Sequence, residues 1–517
     1  MPNTIPGDPL KSLAQFGSWF EKRKHNKLKK EENDIREEGN NIAKEGNKTQ
    51  EDRNDIYSKQ NNLSNLRTNI DNMYSENSAT AGHAVEEIFK TIDYYLEEYK
   101  DTGDLKYQNE AQSLLNKVCL YARNAGNSKG DNLHENDTCN TIAEQINTRF
   151  IAAQKNNHDW ESLDIDLHGA FFSENISLEK IKSAGNINLN GCTFQKGLNL
   201  KSAHSKIGEN DYLTHDPISL SNCTFGGDLN IHGGSYSIAQ EINLKNNTFT
   251  NGGKLDIGGL SAVKNGRLPI TIEGDSMPHD ILFTSVISPT IQIGSNNKGN
   301  LKKIEISGEI VVKNCENADF NIYNHTVNGS LKFIPEDKTS TYRTNTVENI
   351  YLESSEIKGT LIIGTLFKSS RYEKIKNIEI IGSTINEGLH INAEDIERIW
   401  FEYVDFLIEG KALHNSNDVE SVDFVNSTKI EFYNIRKIGT LHLHQVNFYA
   451  PLRIDATQID KFHLSATNFY VIKPHVEWGN HGNQYCLSCF RITFNGNKPI
   501  NHAISVISRQ DGYKLDS

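Results

Sequence analysis

The stretch NINLNGCTFQKGLNL (residues 186–200) is nearly repeated by PISLSNCTFGGDLNI (residues 217–231). Numbered from its first apolar residue, each copy carries apolar side chains at offsets 0, 2, 7, 11 and 13. The same template fits, completely or in part, at ten starting residues: Ile165, Ile187, Ile218, Ile242, Phe320, Ile350, Ile378, Ile399, Leu441 and Phe462. The first apolar residues of neighbouring copies lie as close as 21 or 22 residues apart. Most of the chain therefore consists of sequence repeats.

The spacing within one copy predicts strands. Offsets 0 and 2, and again 11 and 13, alternate with a period of two and so put both side chains of a pair on one face of a strand. Asn, Gly, Ser and Lys between the pairs supply corners. One such coil buries too few apolar side chains to offset the entropy of ordering it, so coils must stack. The sequence predicts a mixed but mainly β fold, a right-handed parallel β-helix (solenoid) preceded by an α-helical N-terminal region.

The centre of each copy carries a second regularity. Leu189 and Phe194 lie five residues apart with the small Cys192 two residues before Phe194, and Leu220, Cys223 and Phe225 repeat the arrangement. Over residues 160–470 this resembles the pentapeptide-repeat proteins in a degenerate form, with usually one clean pentad per coil. The resemblance implies a right-handed quadrilateral β-helix. It also places both cysteines at small inward positions, so we expect them in the core.

The N-terminal region is predicted to be helical. Residues 28–70 contain a heptad repeat, and its apolar positions are Leu28, Ile35, Ile42, Ile56, Leu63 and Ile70. A coiled coil normally has two apolar positions per heptad, so this narrow seam fits either a helix lying against its own protein or a weak oligomerisation stalk. We expect a first domain at residues 1–75.

An amphipathic segment precedes the heptads. Trp19 and Phe20 run into the basic residues Lys22, Arg23 and Lys24. Such a segment suits an anionic membrane surface or an acidic partner, and it can equally dock onto the helical domain.

Three further domains are expected downstream. A helical subdomain over residues 76–158 has an amphipathic face that includes Val85, Ile88, Phe89 and Ile92. It can cap the first coil of a β-helix at residues 159–472, and residues 473–517 form a C-terminal cap.

Composition limits the classes of function. The formal net charge of −13 argues against nucleic-acid binding by the whole chain. No apolar run is long enough to predict a transmembrane helix, and no signal-peptide pattern is seen. Seven widely spread cysteines do not suggest a disulfide framework. We expect a cytoplasmic protein, with peripheral membrane contact as an option.

A candidate zinc site lies near the C-terminus. His475, His481, Cys486 and Cys489 could supply two imidazoles and two thiolates, which is a tetrahedral zinc set. The alternative is a reduced cysteine pair in the C-terminal cap, without a cofactor. A redox role is less favoured because no βαβ pattern surrounds the CxxC sequence.

A second candidate site is an outer row, formed by the residue at offset 1 of each coil. In the late coils this position holds Glu379, Trp400, His442 and His463, and Asp423 if Val422 opens a slipped copy. Stacked coils lie about 4.8 Å apart, so the two histidines should be neighbours. They could bind metal or act as acid and base, or form an ordinary surface row.

These features favour a non-enzymatic scaffold that binds a protein partner through the β-helix surface and uses its helical N-terminus for assembly or localisation, with homo-oligomers possible. The alternative is a carbohydrate-active or carbohydrate-binding β-helix, which would need carboxylates gathered on one face. A third hypothesis, an inhibitor of a DNA enzyme, follows from the pentapeptide resemblance alone.

Overall fold

The computed structural model describes residues 64–126, 133–156, 160–179, 186–201, 218–262, 266–294, 303–335, 346–365, 371–407, 429–448, 452–465 and 467–469, together with short strands up to residue 508 and scattered helical residues between 22 and 48. The chain divides into two compact units, residues 1–72 and residues 73–517. Described residues of the first unit are helical. Among the heptad positions Ile70 is described, in helix, and the others lie outside the described residues.

The second unit begins with helices α1 (Ser78–Thr102), α2 (Leu105–Gly126) and α3 (Leu133–Asn156). Asn77 caps α1 by accepting a hydrogen bond from the Thr80 amide at 3.1 Å, and Gly103 ends it in the left-handed conformation. The predicted apolar face is buried at Val85, Ile88 and Phe89. None of the described helices is long and apolar enough to cross a membrane.

The rest of the second unit is built from strands numbered β1 to β35 in chain order. They form three sets of parallel strands, called ladders A, B and C. Ladder A follows the first apolar pair of the template: β1 (Ile165–Asp166), β4 (Ile187–Asn188), β7 (Ile218–Ser221), β10 (Ile242–Lys245), β13 (Leu268–Glu273), β15 (Pro289–Ile293), β18 (Ala318–Tyr323), β21 (Thr346–Glu353), β24 (Tyr372–Ile381) and β33 (Leu487–Phe490).

Ladder B follows the second apolar pair. Its strands are β3 (Ile176–Glu179), β6 (Gly197–Lys201), β9 (Asp228–Ile238), β12 (Leu255–Ser261), β14 (Ile281–Thr284), β17 (Ile310–Lys313), β20 (Leu331–Ile334), β23 (Thr360–Ile363), β32 (His475–Trp478) and β35 (Val506–Ser508). Three long strands pass from ladder B into ladder A: β26 (Gly388–Glu402), β28 (Lys429–His444) and β30 (Leu452–Ser465).

Ladder C follows the central apolar residue of the template and is made of very short strands. They are β2 (Phe171–Phe172), β5 (Thr193–Phe194), β8 (Thr224–Phe225), β11 (Thr248–Phe249), β16 (Ile304–Ile306), β19 (His325–Val327), β22 (Glu356–Ile357), β25 (Thr384–Ile385), β27 (Asp405–Phe406), β29 (Asn447–Phe448), β31 (Asn468–Phe469) and β34 (Thr493–Phe494). Ladders A and B share one sheet of 21 strands, and β1 and β4 form a separate pair.

Pairing is parallel and in register from one repeat to the next. In ladder A, for example, Ile350 lies opposite Ile378, Ile378 opposite Ile399, and Ile399 opposite Leu441. In ladder B, Leu361 lies opposite Leu389, which in turn lies opposite Ile430. The molecule is therefore mainly β, with large parallel sheets, as the template predicts.

Rows of identical template positions fill the core. Phe172, Phe194, Phe225 and Phe249 stack in ladder C with ring centroids 5.1–5.5 Å apart. Cys192 and Cys223 are 0% and 1% exposed, and their thiols donate to the carbonyl oxygens of Leu167 and Leu189 at 3.0 and 3.2 Å. The predicted core role of both cysteines is confirmed.

The helices cover the first repeat. Gln112 of α2 hydrogen-bonds both the carbonyl oxygen and the amide of Asp164, at 2.9 and 2.8 Å, and so acts as a strand partner. Asn147 of α3 accepts from the Glu179 amide at the edge of β3. Arg123 forms an ion pair with Asp166. Edge amides and carbonyls that would otherwise face solvent thus bond to helix side chains.

Candidate functional site on ladder A

The outer row of ladder A, at offset 1 of each repeat, contains several side chains that can act chemically. In register, Tyr351 lies opposite Glu379, Glu379 opposite Trp400, Trp400 opposite His442, and His442 opposite His463. The strand neighbours of Tyr351, Glu379, Trp400 and His442 are buried, so these four residues lie on the opposite, solvent-facing side. They and His463 are half-buried.

Asp423 is the predicted member of the row that lies outside the described residues. It belongs to residues 408–428, between β27 and β28. In the described chain β26 pairs directly with β28, so Trp400 is the immediate neighbour of His442.

Trp400 is the centre of a stack of rings and charges. The Trp400 and His442 rings are parallel within 2°, with centroids 3.8 Å apart. The Arg398 guanidinium carbon lies 4.6 Å from the centroid of the Trp400 ring, and Arg398 also pairs with Glu379 at 3.8 Å. The planar groups therefore pack on one another along the row.

Three histidines are gathered on this face. The His442 ring centroid is 5.7 Å from that of His463 and 6.2 Å from that of His444. Burial lowers the pKa of His442 below its usual range, and the neighbouring His463 and His444 lower this pKa further, while Glu402 acts in the opposite direction. His442 is therefore a neutral imidazole at pH 7 with a lone pair to offer.

A second row, two residues further along each strand, belongs to the same face. Glu402 lies opposite His444, and the Trp400 indole nitrogen donates to the Glu402 carboxylate at 3.0 Å. Tyr403, at the corner after β26, is 53% exposed and makes an edge contact with His444, with centroids 5.8 Å apart. A prediction that considers one outward position per repeat misses this row. The spacing of two residues from Trp400 to Glu402 and from His442 to His444 is the signal that places both rows on the same face.

Tyrosines extend the aromatic character toward earlier repeats. The Tyr323 and Tyr351 rings lie 5.6 Å apart, and the Tyr351 hydroxyl donates to Glu353 at 2.9 Å. Burial and the Glu353 carboxylate raise the pKa of Tyr351 above its usual range, so this hydroxyl stays protonated.

The predicted zinc set is only partly described. His475 lies in β32, next to β30 in ladder B, and Cys489 lies in β33, opposite Leu464 in ladder A. His481 and Cys486 lie outside the described residues. Of the predicted membrane or partner contacts, Lys22 is helical and exposed, while Trp19, Phe20, Arg23 and Lys24 also lie outside them. Within the part of the chain that is described, no three His, Cys, Asp or Glu side chains are already arranged to hold a metal ion.

Comparison with known proteins adds no relative, because no protein-family model, curated protein or solved structure matches this chain.

Proposed function

We propose that this chain is a non-enzymatic scaffold, a right-handed parallel β-helix of the pentapeptide-repeat-like kind that binds a protein partner and uses its helical N-terminal region for assembly. The observation that carries the proposal is the continuous parallel pairing of ladder A from β7 to β33, with one register shift at Ala318 and Asp319, because this pairing gives one long ordered outer face. Repetitive stacked strands are generally used as extended binding surfaces.

We assign the handedness of the coil and the cellular compartment from general rules. Crossovers between parallel strands of one sheet are right-handed in about 98% of cases, which is why we assign a right-handed coil. Cys119, Cys139, Cys192 and Cys223 are free, buried thiols. Free thiols favour a reducing compartment, and we place the protein in the cytoplasm.

We assign the partner contact to an aromatic patch made of Tyr323, Tyr351, Arg398, Trp400 and Tyr403. Protein interfaces are enriched in Tyr, Trp and Arg, and these residue types dominate binding energy. Two described ion pairs or hydrogen bonds hold the patch in place, between Arg398 and Glu379 and between Trp400 and Glu402. Preorganised side chains lose little entropy on binding.

A carbohydrate ligand fits this patch less well. Sugars stack on open faces of aromatic rings, whereas one face of the Trp400 ring packs on His442 at 3.8 Å and Arg398 also lies over the ring. The Glu353 carboxylate is engaged as well, by the Tyr351 hydroxyl. A protein side chain can contact ring edges and the Arg398 charge, which is why we favour a protein partner.

The proposal is tested by cross-linking and affinity capture with the full chain and two variants. In the first variant Tyr351, Trp400 and Tyr403 are changed to Ser. The control carries Lys332→Ser on ladder B, where Lys332 pairs with Glu309 at 2.8 Å. We expect a stoichiometric partner with wild type and control, and a loss of affinity of at least about 100-fold with the triple variant. Capture that is unchanged by the triple variant contradicts the assigned surface, and binding of purified glycans through the patch would favour the alternative.

Assembly is tested separately by native mass spectrometry of residues 1–517 and 73–517. We expect the full chain to form a defined multimer and the shortened chain to be monomeric, since the heptad residues lie in the deleted unit. A monomeric full chain would contradict the assembly role.

A further inference from the structure

The histidine cluster of ladder A, made of His442, His444 and His463, is a feature that the scaffold proposal does not use. We propose that His442, His444 and His463 bind a divalent zinc ion, with Glu402 as the fourth, anionic ligand. His442 and His444 are two residues apart on β28 and so lie on one side of the strand, while His463 lies opposite His442 on β30. Two histidines of one strand and a third on its neighbour thus share one face.

The two ring separations that involve His442 are about 1 Å longer than those of a zinc site. Zinc binds imidazole nitrogen at about 2.0–2.1 Å, which in a tetrahedral arrangement puts ring centroids about 5 Å apart. The observed centroid separations are 5.7 Å for His442 and His463 and 6.2 Å for His442 and His444. The rings do not yet converge on one point, since a ready arrangement of three ligands is absent from the described residues. Metal binding would require the imidazoles to rotate so that these centroids come about 1 Å closer.

The charges around the cluster favour a metal position on the side of Glu402 and His444. Glu402, directly opposite His444, supplies a negative charge. Arg398 and Lys461 lie on the other side, in register with Thr440, and would repel a cation there. Arg398 is partly neutralised by Glu379 at 3.8 Å. The metal is therefore expected between His444 and Glu402 rather than beside Arg398.

The donors favour a transition-metal ion, and a tetrahedral set of three imidazoles and a carboxylate is typical of zinc. Imidazole suits zinc, copper and nickel, whereas magnesium and calcium prefer oxygen ligands. Binding requires neutral imidazoles, so zinc affinity should fall in acid as the histidines take up protons. The site would fasten β28 to β30 next to the Trp400 stack.

The experiment must separate this site from the candidate set at the C-terminus. The full chain is therefore prepared with Cys486→Ser and Cys489→Ser, stripped of metal, and titrated with Zn²⁺ by calorimetry and with Co²⁺ by visible absorption. We expect one equivalent to bind, with a Co²⁺ spectrum typical of nitrogen and oxygen ligands. Mutation of residues that only hydrogen-bond the metal ligands already lowers metal affinity about 10–100-fold. Loss of a ligand itself, in His444→Ala or His463→Ala, should therefore weaken zinc binding by at least about 100-fold.

His232→Ala is the matched control, because His232 is a histidine next to a carboxylate, 3.3 Å from Asp256, on ladder B. It should leave the affinity unchanged. Circular dichroism verifies that each variant is folded, and His444→Gln provides a milder change if His444→Ala is not. A Kd for Zn²⁺ weaker than about 0.1 mM, or equal affinity in the His444 and His463 variants, would overturn the proposal.

Discussion

His325 is a histidine enclosed in the core of the strand repeats. It is 1% exposed, and its Nδ1 lies 2.6 Å from the carbonyl oxygen of Tyr323, while its Nε2 has no hydrogen-bond partner among the described residues. Burial lowers the pKa of His325 below its usual range, and the Tyr323 carbonyl offsets this only in part. A charged imidazole here would be poorly solvated.

The burial of His325 predicts a loss of stability in mild acid. Its pKa is lower in the folded chain than in the unfolded chain, where it is about 6.5, so the folded state binds fewer protons. The free energy of unfolding should therefore fall by up to about 1.4 kcal/mol per pH unit as the pH drops below about 6.5. The fall should end once the pH is below the pKa of His325 in the folded chain. Urea unfolding between pH 7.5 and pH 5.5 measures it.

The variant His325→Asn lacks the titrating group and should flatten the pH dependence in that window. His442, whose pKa is also lowered, will leave part of the slope. His279→Asn is the control, since the His279 side chain is 46% exposed, and it should follow the wild-type curve. Equal slopes in wild type and His325→Asn would show that His325 is not the cause.

Cys192 and Cys223 show how far single residues can be read from the sequence. Their place two residues before a repeated Phe predicts an inward position, and both are buried. His325 stands at the same place, two residues before Val327 of the copy that begins at Phe320, so the template predicts an inward position for it as well. The template does not predict that a side chain as large and polar as imidazole fits there, because that depends on the neighbouring repeats that pack around it.

At the scale of elements, the corner after each ladder A strand has a fixed conformation. The residue four positions after the first inward residue has a left-handed backbone in repeat after repeat, at Gly169, Gly191, Asn222, Asn246, Asn324, Ser354, Gly382, Tyr403 and Gln445. Gly and Asn adopt this conformation at low cost, which accounts for much of the Asn and Gly in the repeats. Tyr403, at φ 55°, is the bulky exception, and it lies beside the histidine cluster.

Tyr403 therefore predicts a stabilising substitution. Tyr403→Asn should raise the free energy of unfolding by about 0.5–1 kcal/mol, because Asn tolerates the left-handed region better than an aromatic residue does. Chemical denaturation measures the change. Asn222→Tyr, at the equivalent corner, is the reciprocal test and should destabilise the protein. A loss of stability in Tyr403→Asn would mean that the contact with His444 outweighs the backbone strain.

The alternating apolar pairs predict the strands of ladders A and B and the register that aligns Glu379, Trp400, His442 and His463. They do not predict that β26, β28 and β30 continue around a corner. In those strands Ile396, Ile438 and Ile459 form an additional buried row, three residues before the first inward residue of ladder A. A spacing of three across a bend looks helical in sequence, so alternation alone cannot reveal it.

At the scale of the whole molecule, most strands pair with strands of the preceding and following repeats, whereas β11 and β16 each pair on one side only. Phe225, for example, stacks on Phe194 and Phe249 at 5.5 and 5.1 Å, one repeat to either side. Proteins with this organisation are stabilised by each unit and by its contacts with neighbours, so damage at one end need not unfold the other. Local unfolding can then differ widely along the chain.

Phe225→Ala tests this independence. Phe225 is 0% exposed, and its truncation should cost about 3–5 kcal/mol. Hydrogen exchange followed by mass spectrometry should show faster exchange in residues 186–262 and unchanged exchange in residues 371–448. The control is Thr224→Ala, the neighbouring residue, which is half-buried rather than enclosed and should alter exchange little. Uniformly faster exchange from β1 to β31 would instead mean that the repeats unfold together, and the helices over the first repeat would then have to stabilise the entire sheet.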